Sequence, residues 1–194
     1  MDKLVKVVSY NCRGLPKLAS KLWEKPTVNL LLQDIENDII CFQETFYSNQ
    51  DMSCLNTLHK EFQGIGTYTT DARDKVISGH PPGGVAILYR SKYAKSISPI
   101  YFNLDWVIGI TINVGNKKHV ILCVYMKCVS GGLDDHNEIF LGQLEELKLI
   151  INDLDTTSVS IIGDFNADLV KPNHAHGPIL RRFSSDTGLL YQVN

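Results

Sequence analysis

A chain of 194 residues with 44% hydrophobic and 21% charged side chains has the balance of a globular protein and enough apolar material for a substantial core. Its formal net charge of −2 excludes a globally basic surface, so a nucleic acid would have to be met by a local patch or through metal ions. No apolar run is long enough to cross a bilayer, and the first ten residues carry Asp2, Lys3 and Lys6, which is not a signal-peptide pattern.

In chain order, residues 5–9 are β-rich and run as a first strand into the polar cluster Asn11-Cys12-Arg13-Gly14. Residues 27–36 have helical spacing, with Thr27 as N-cap just after Pro26. Residues 38–44 read as a second buried strand whose C-terminal end carries Gln43 and Glu44, and residues 55–62 as a short helix. Strands are expected at 67–70, 84–89, 106–114 and 119–125. The Pro81-Pro82-Gly83-Gly84 cluster marks a loop, and Gly115-Asn116 signals a hairpin. The longest helix spans 137–154, where Phe140, Leu144, Leu147 and Ile151 form one apolar stripe. A strand at 158–163 is ended by Gly163, a helix follows at 179–185, and Leu189 opens a further strand. Without repeats or linkers this is one domain over residues 1–194. The alternation of strands and helices around a hairpin-rich middle predicts an α/β fold with mixed sheets.

Cys12, Cys41 and Cys123 lie in apolar, strand-like runs and read as small buried hydrophobes. The spacing of Cys123 and Cys128 lacks the second pair that structural zinc requires. These cysteines predict a reducing compartment, intracellular (nuclear or cytoplasmic) and not secretory.

Three of the predicted strands end in polar residues: Asn11, Gln43-Glu44, and Asp164-Phe165-Asn166. Strand ends that meet at one sheet edge commonly build an active site. A carboxylate at the mouth of a buried strand, such as Glu44, suits a hard cation like Mg²⁺, which takes one or two carboxylates, several waters and phosphate oxygens. Asn11 could complete the outer shell of that cation or contact phosphate. Tyr125, at the end of an apolar strand, could hydrogen-bond a phosphate oxygen. Asp164 could orient or deprotonate a water for in-line attack on phosphorus, with Asn166 stabilising the charge of the transition state. Taken singly, Glu44 would be a surface residue opening a loop, Asn11 a turn residue, Tyr125 a rim aromatic, and Asp164 with Asn166 an Asx-rich turn.

Together, Ser9-Tyr10-Asn11-Cys12-Arg13-Gly14, Phe42-Gln43-Glu44-Thr45, Gly83-Gly84-Val85-Ala86-Ile87-Leu88, Val124-Tyr125 and Gly163-Asp164-Phe165-Asn166 resemble, in order and spacing, the endonuclease/exonuclease/phosphatase superfamily. Within it, Gln43-Glu44-Thr45 and the stretch from Gly79 to Leu88 look most like the apurinic/apyrimidinic-type endonuclease domain of non-LTR (LINE-type) retrotransposons. The resemblance implies a DNase I-like, four-layered α/β/β/α sandwich of two mixed sheets flanked by helices. It also implies DNA as substrate and Mg²⁺ as cofactor, with Mn²⁺ the alternative. Carried over by motif, Glu44 is the principal metal ligand with Asn11 beside it, Tyr125 contacts the scissile phosphate, Asp164 orients the attacking water and Asn166 binds the transition-state oxygens. Arg13, Lys17, Lys21, Lys25, Arg73, Lys75 and Arg90 are candidate phosphate contacts, Arg13 being the one placed next to the motif.

The family closes its site with a C-terminal Ser-Asp-His motif that this sequence does not contain. The expectation is therefore a domain incomplete at its C-terminus, with the last strands of the second sheet missing. His136, though preceded by Asp135, stands ahead of Asp164 in order and is rejected as a substitute. His174 and His176 read as solvated loop residues. Two alternatives to DNA nicking stay open, a phosphatase acting on small phosphoesters and a non-enzymatic remnant of a retrotransposon endonuclease.

Overall fold

The computed structural model describes residues 4–68, 83–114, 117–127, 133–156, 158–171 and 175–191. They group into two compact units, Met1–Tyr125 with Thr156–Gly163, and Met126–Asp155 with Asp164–Asn194. The expected α/β class with two mixed sheets is observed.

The first sheet has the order β1-β2-β4-β3, formed by β1 (Val7–Asn11), β2 (Ile39–Gln43), β4 (Val85–Arg90) and β3 (Phe62–Gly66). β1 and β2 run parallel, with Asn11 opposite Gln43, and the other pairs are antiparallel. The second sheet has the order β5-β6-β7-β8, from β5 (Ile97–Ile100), β6 (Val107–Val114), β7 (Lys117–Tyr125) and β8 (Val159–Asp164). β5, β6 and β7 are antiparallel neighbours. The bonds Val120 N–H to Ser158 O and Met126 N–H to Asp164 O advance together along the chain, so β8 runs parallel to β7.

The period of two in β2 and β4 explains why residues 39–42 and 85–89 are apolar or aromatic on both faces. Ile39, Cys41, Val85 and Ile87 pack against Ile108, Ile110, Ile121 and Cys123 of the second sheet. Ile40, Phe42, Ala86 and Leu88 face the other way, against Leu22, Val28, Leu32, Leu55 and Leu58. A strand covered on both faces must be hydrophobic at every position, each buried Ile or Leu stabilising by about 1.5–3 kcal/mol. The thiols of Cys41 and Cys123 lie in the inter-sheet core without exposed surface, as small hydrophobes.

Helix α1 (Pro26–Gln33) covers the outer face of the first sheet through Val28 and Leu32. Thr27 is not its N-cap: Lys25 occupies that position without a side-chain bond, and Pro26 opens the helix. A proline has no N–H to orphan and its φ is already helical, so it serves in the first turn. The helix expected at 55–62 is displaced. Residues Asn49–Asn56 form 3-10 turns started by a Ser48–Asp51 capping box, and Phe62 already opens β3. A Cβ on Gly64 would stand 2.8 Å from Leu55 Cβ, so glycine lets β3 lie directly under those turns. Of the strand expected at 67–70, residues 67 and 68 follow β3, which ends at Gly66, and are not in a strand; residues 69–70, like 81–82 and the Gly115-Asn116 turn, lie outside the described residues. The flanks of that turn do pair as a hairpin, Val114 opposite Lys117.

In the second unit, α2 (Leu133–Asp153) buries Phe140, Leu144 and Leu147, three members of the predicted stripe. Helix α3 (His176–Thr187) starts earlier than the expected 179 because Pro178 falls within its first turn. It ends at Gly188, whose φ of 70° is the left-handed C-cap geometry. Leu189–Tyr191 have no regular structure, and residues 192–194 lie outside the described set.

Candidate active site

In the first unit the ladder between β1 and β2 continues beyond both strands. Cys12 N–H donates to Gln43 O (3.0 Å), Gly14 N–H to Glu44 O (2.6 Å) and Leu15 N–H to Thr45 O (3.0 Å). Within this pairing Glu44 takes a left-handed φ of 54°. That conformation costs a non-glycine residue about 1–2 kcal/mol and persists only where surrounding bonds impose it.

Two donors converge on one oxygen of the half-buried Glu44 carboxylate: Asn11 Nδ2 at 2.8 Å and the Tyr125 hydroxyl at 3.1 Å. Asn11 is itself set by an Asx turn, its Oδ1 accepting Arg13 N–H at 3.2 Å. Gln43, which the motif includes without a role, is buried; its Oε1 accepts from Ser9 (3.2 Å) and its Nε2 donates to Cys123 Sγ (3.3 Å). Gln43 thus ties β1, β2 and β7 together one residue before Glu44. Below it, burial pushes the Cys12 thiol up to about 12, so it stays a neutral donor to Gln43 O at 3.2 Å.

Most of the predicted phosphate contacts have structural partners. Arg90 is buried, with Nε on Asn37 O (2.8 Å), one terminal nitrogen on Asp34 O (2.8 Å) and the other on Glu61 Oε2 (2.5 Å). It is a staple of the fold and not available to a substrate. Lys25 Nζ donates to Cys12 O (3.2 Å) and Arg13 O (2.6 Å), holding the loop after Asn11, and Lys17 pairs with Asp51 at 2.9 Å. Arg13 is exposed beside Asn11. Arg73 and Lys75 lie outside the described residues.

Gly163 does not end β8; the strand continues through Asp164. A Cβ on Gly163 would stand 1.9 Å from Val124 O, so glycine is required by the close approach of two backbones. In the second unit Asp164 Oδ1 accepts Asn166 N–H at 3.0 Å, and Asn166 Nδ2 donates to Met126 O at 2.6 Å. Asn166 is also left-handed, with φ 47°.

A sequence model of the endonuclease/exonuclease/phosphatase family matches residues 8–190. The chain belongs to this family. No curated protein matches it significantly. Among solved structures it is similar to the Leishmania major AP endonuclease LMAP (TM-score 0.65, 12% identity, 94% of this chain and 66% of that one). It is similar also to the endonuclease domain of TRAS1, a telomere-specific non-LTR retrotransposon (TM-score 0.60, 13% identity, 95% of this chain and 72% of that one). A third likeness is to the Neisseria 3′ phosphatase NExo, solved with a product DNA hairpin (TM-score 0.55, 17% identity); the match takes in 84% of this chain but spans 58% of that one. At these identities the likeness is one of fold, the DNase I-like sandwich of this family.

The family's motif residues thus appear in two groups, Asn11, Glu44 and Tyr125 in the first unit and Asp164 with Asn166 in the second. Like Arg90, His176 overturns its sequence reading. His176 is not a solvated loop histidine: it is 6% exposed at the start of α3, its ring stacked on Phe140 with centroids 4.1 Å apart. Pro178 shortly after it was the available signal, since it marks a helix start close by. His174 lies outside the described residues.

Proposed function

We propose that the chain is a divalent-metal-dependent phosphodiesterase that nicks DNA by attack of an activated water on phosphorus. The observation that carries this is the convergence of Asn11 and Tyr125 on one oxygen of Glu44, a carboxylate held at a strand end in a left-handed conformation. Core packing gives no reason for such an arrangement, whereas an anion presented to a cation and a phosphate does.

The donor set fits a hydrated hard cation. Among the described residues no three His, Cys, Asp or Glu cluster as a zinc site would require, while one carboxylate with a neighbouring amide is typical of Mg²⁺. Glu44 would hold Mg²⁺, or alternatively Mn²⁺, with Asn11 beside it. When bound, such a cation neutralises phosphate charge and acidifies a coordinated water. Tyr125 would donate to a non-bridging oxygen of the scissile phosphate, and the exposed Arg13 would add a backbone phosphate contact. Asp164 would orient the attacking water and accept its proton. The Asn166 amide would stabilise the oxygens of the pentavalent transition state. The motif pattern and the fold it shares with a retrotransposon endonuclease domain support DNA as the substrate class and an element-encoded endonuclease as the kind of enzyme.

The test is nicking of supercoiled plasmid by the purified chain, beside a panel of small phosphoesters. Nicking should require added Mg²⁺ or Mn²⁺, stop on chelation, and be lost in Glu44→Gln and Asp164→Asn. Hydrolysis of small esters alone would replace DNA by a small-molecule substrate. Absence of metal-dependent hydrolysis of either would sink the proposal.

A further inference from the structure

Asn166 is gripped at three points. Its N–H donates to Asp164 Oδ1 (3.0 Å), its side-chain Nδ2 to Met126 O (2.6 Å), and its carbonyl accepts from His176 Nδ1 (3.1 Å). A carbonyl only accepts, so Nδ1 of His176 carries the proton. The imidazole cannot swing away, because it lies flat on Phe140 of α2 at an interplanar angle of 3°. The start of α3 is pressed against the same loop: a Cβ on Gly177 would stand 2.6 Å from Asp168 O. Helix α2 also fixes the acceptor of the Asn166 amide, since Gln143, 6% exposed, accepts Lys127 N–H (3.0 Å) one residue after Met126.

A left-handed asparagine can relax by turning about its φ and ψ, which would re-aim its side-chain amide relative to the N–H that meets Asp164. We propose that His176, seated on Phe140, is a positioning residue that locks the Asn166 carbonyl, holds the residue in its left-handed conformation and so fixes the direction of the Asn166 amide and the Asp164 carboxylate. Its catalytic consequence rests on the roles given to Asp164 and Asn166 above; the hold on the turn does not.

The experiment uses the 194-residue chain with two variants. His176→Phe keeps a ring on Phe140 and removes the donor, and His176→Asn restores a donor while losing the ring. Hydrogen exchange at the Asn166 backbone and side-chain amides, read by NMR, requires no turnover. It should quicken about tenfold or more in His176→Phe and return toward wild type in His176→Asn, with the amides of β2 unchanged. In the nicking assay kcat should fall about 10- to 100-fold in His176→Phe with KM unchanged, and recover in part in His176→Asn. If the wild-type chain cleaves nothing, the proposed function fails while the exchange comparison still decides the role of His176. If His176→Phe does not fold, Phe140→Leu, which loosens the seat and keeps the donor, is read the same way. Unchanged exchange at Asn166, or a loss that follows global stability equally in both variants, overturns the proposal.

Discussion

The two ends of the first sheet use charge in opposite ways. β1 and β2 both run from Lys6 and Asp38 toward Asn11 and Glu44, while β4 runs back to Arg90. At the starting end every charged group named serves the fold. Arg90 joins Asn37, Asp34 and Glu61 and lies over the Phe62 ring, and Asp38 accepts Lys6 N–H (3.2 Å) and forms an ion pair with Lys92 Nζ (2.7 Å). At the finishing end the donors to the Glu44 carboxylate, Asn11 and Tyr125, are neutral; they orient it and do not cancel its charge. A carboxylate oriented but not neutralised is suited to attract a cation from solution, which is the difference between an ion pair that holds a fold and one that waits for a partner.

Four substitutions would break or sharpen this contrast. The largest stability effect is expected for Arg90→Ala, about 3 kcal/mol by urea unfolding, because buried carbonyls and Glu61 lose their partner. Residual activity per folded molecule should be unchanged. Glu44→Gln should do the reverse, cutting metal-dependent nicking about 100-fold or more while Tm moves by no more than about 2 °C. If Glu44→Gln melted the protein instead, the two ends would be alike and the contrast would fall. Tyr125→Phe removes one of the two donors to Glu44 and should reduce nicking about tenfold, seen as a weaker apparent affinity for Mg²⁺ in a metal titration.

The smallest effect concerns pH. Burial would raise the Asp38 carboxyl, but the bonds from Lys92 and the Lys6 N–H outweigh it and hold it below its ordinary value. A lowered folded value stabilises the protein above the unfolded carboxyl value of about 3.9 and loses that contribution as pH falls below it. The stability gap between wild type and Asp38→Asn should therefore be full at neutral pH and shrink on acidification. A gap independent of pH would show that Asp38 contributes only packing.

Much of the fold could be read from the sequence because doubly covered strands announce themselves. Residues 39–42 and 85–89 are each an unbroken apolar or aromatic run, since both faces of their strands are buried. β3 was hidden because Gly64 and Gly66 look like breakers, yet close packing under Leu55 requires them. β5 was hidden by Pro99, which an edge strand tolerates because one row of its backbone groups is unpaired. Of the candidate residues, Asn11, Glu44 and Tyr125 come together as a group, and Asp164 bonds to Asn166. Arg90 was misread because charge alone does not tell a surface cation from one caged by backbone carbonyls. The place of His176 was invisible because it depends on Phe140, 36 positions earlier, presenting the flat of its ring.

The sulfurs of the inter-sheet core provide a clock. Cys41 has no exposed surface, and the neighbouring Cys123 sulfur together with burial holds its thiol well above the usual range. An alkylating reagent can reach it only when the sheets part, whereas the half-exposed Cys54 reacts from the closed state. The ratio of the two labelling rates counts excursions of the sandwich without any denaturant. A cation or phosphate that binds only the closed form would slow Cys41 alone, so that occupancy could be followed in a chain whose chemistry has stopped.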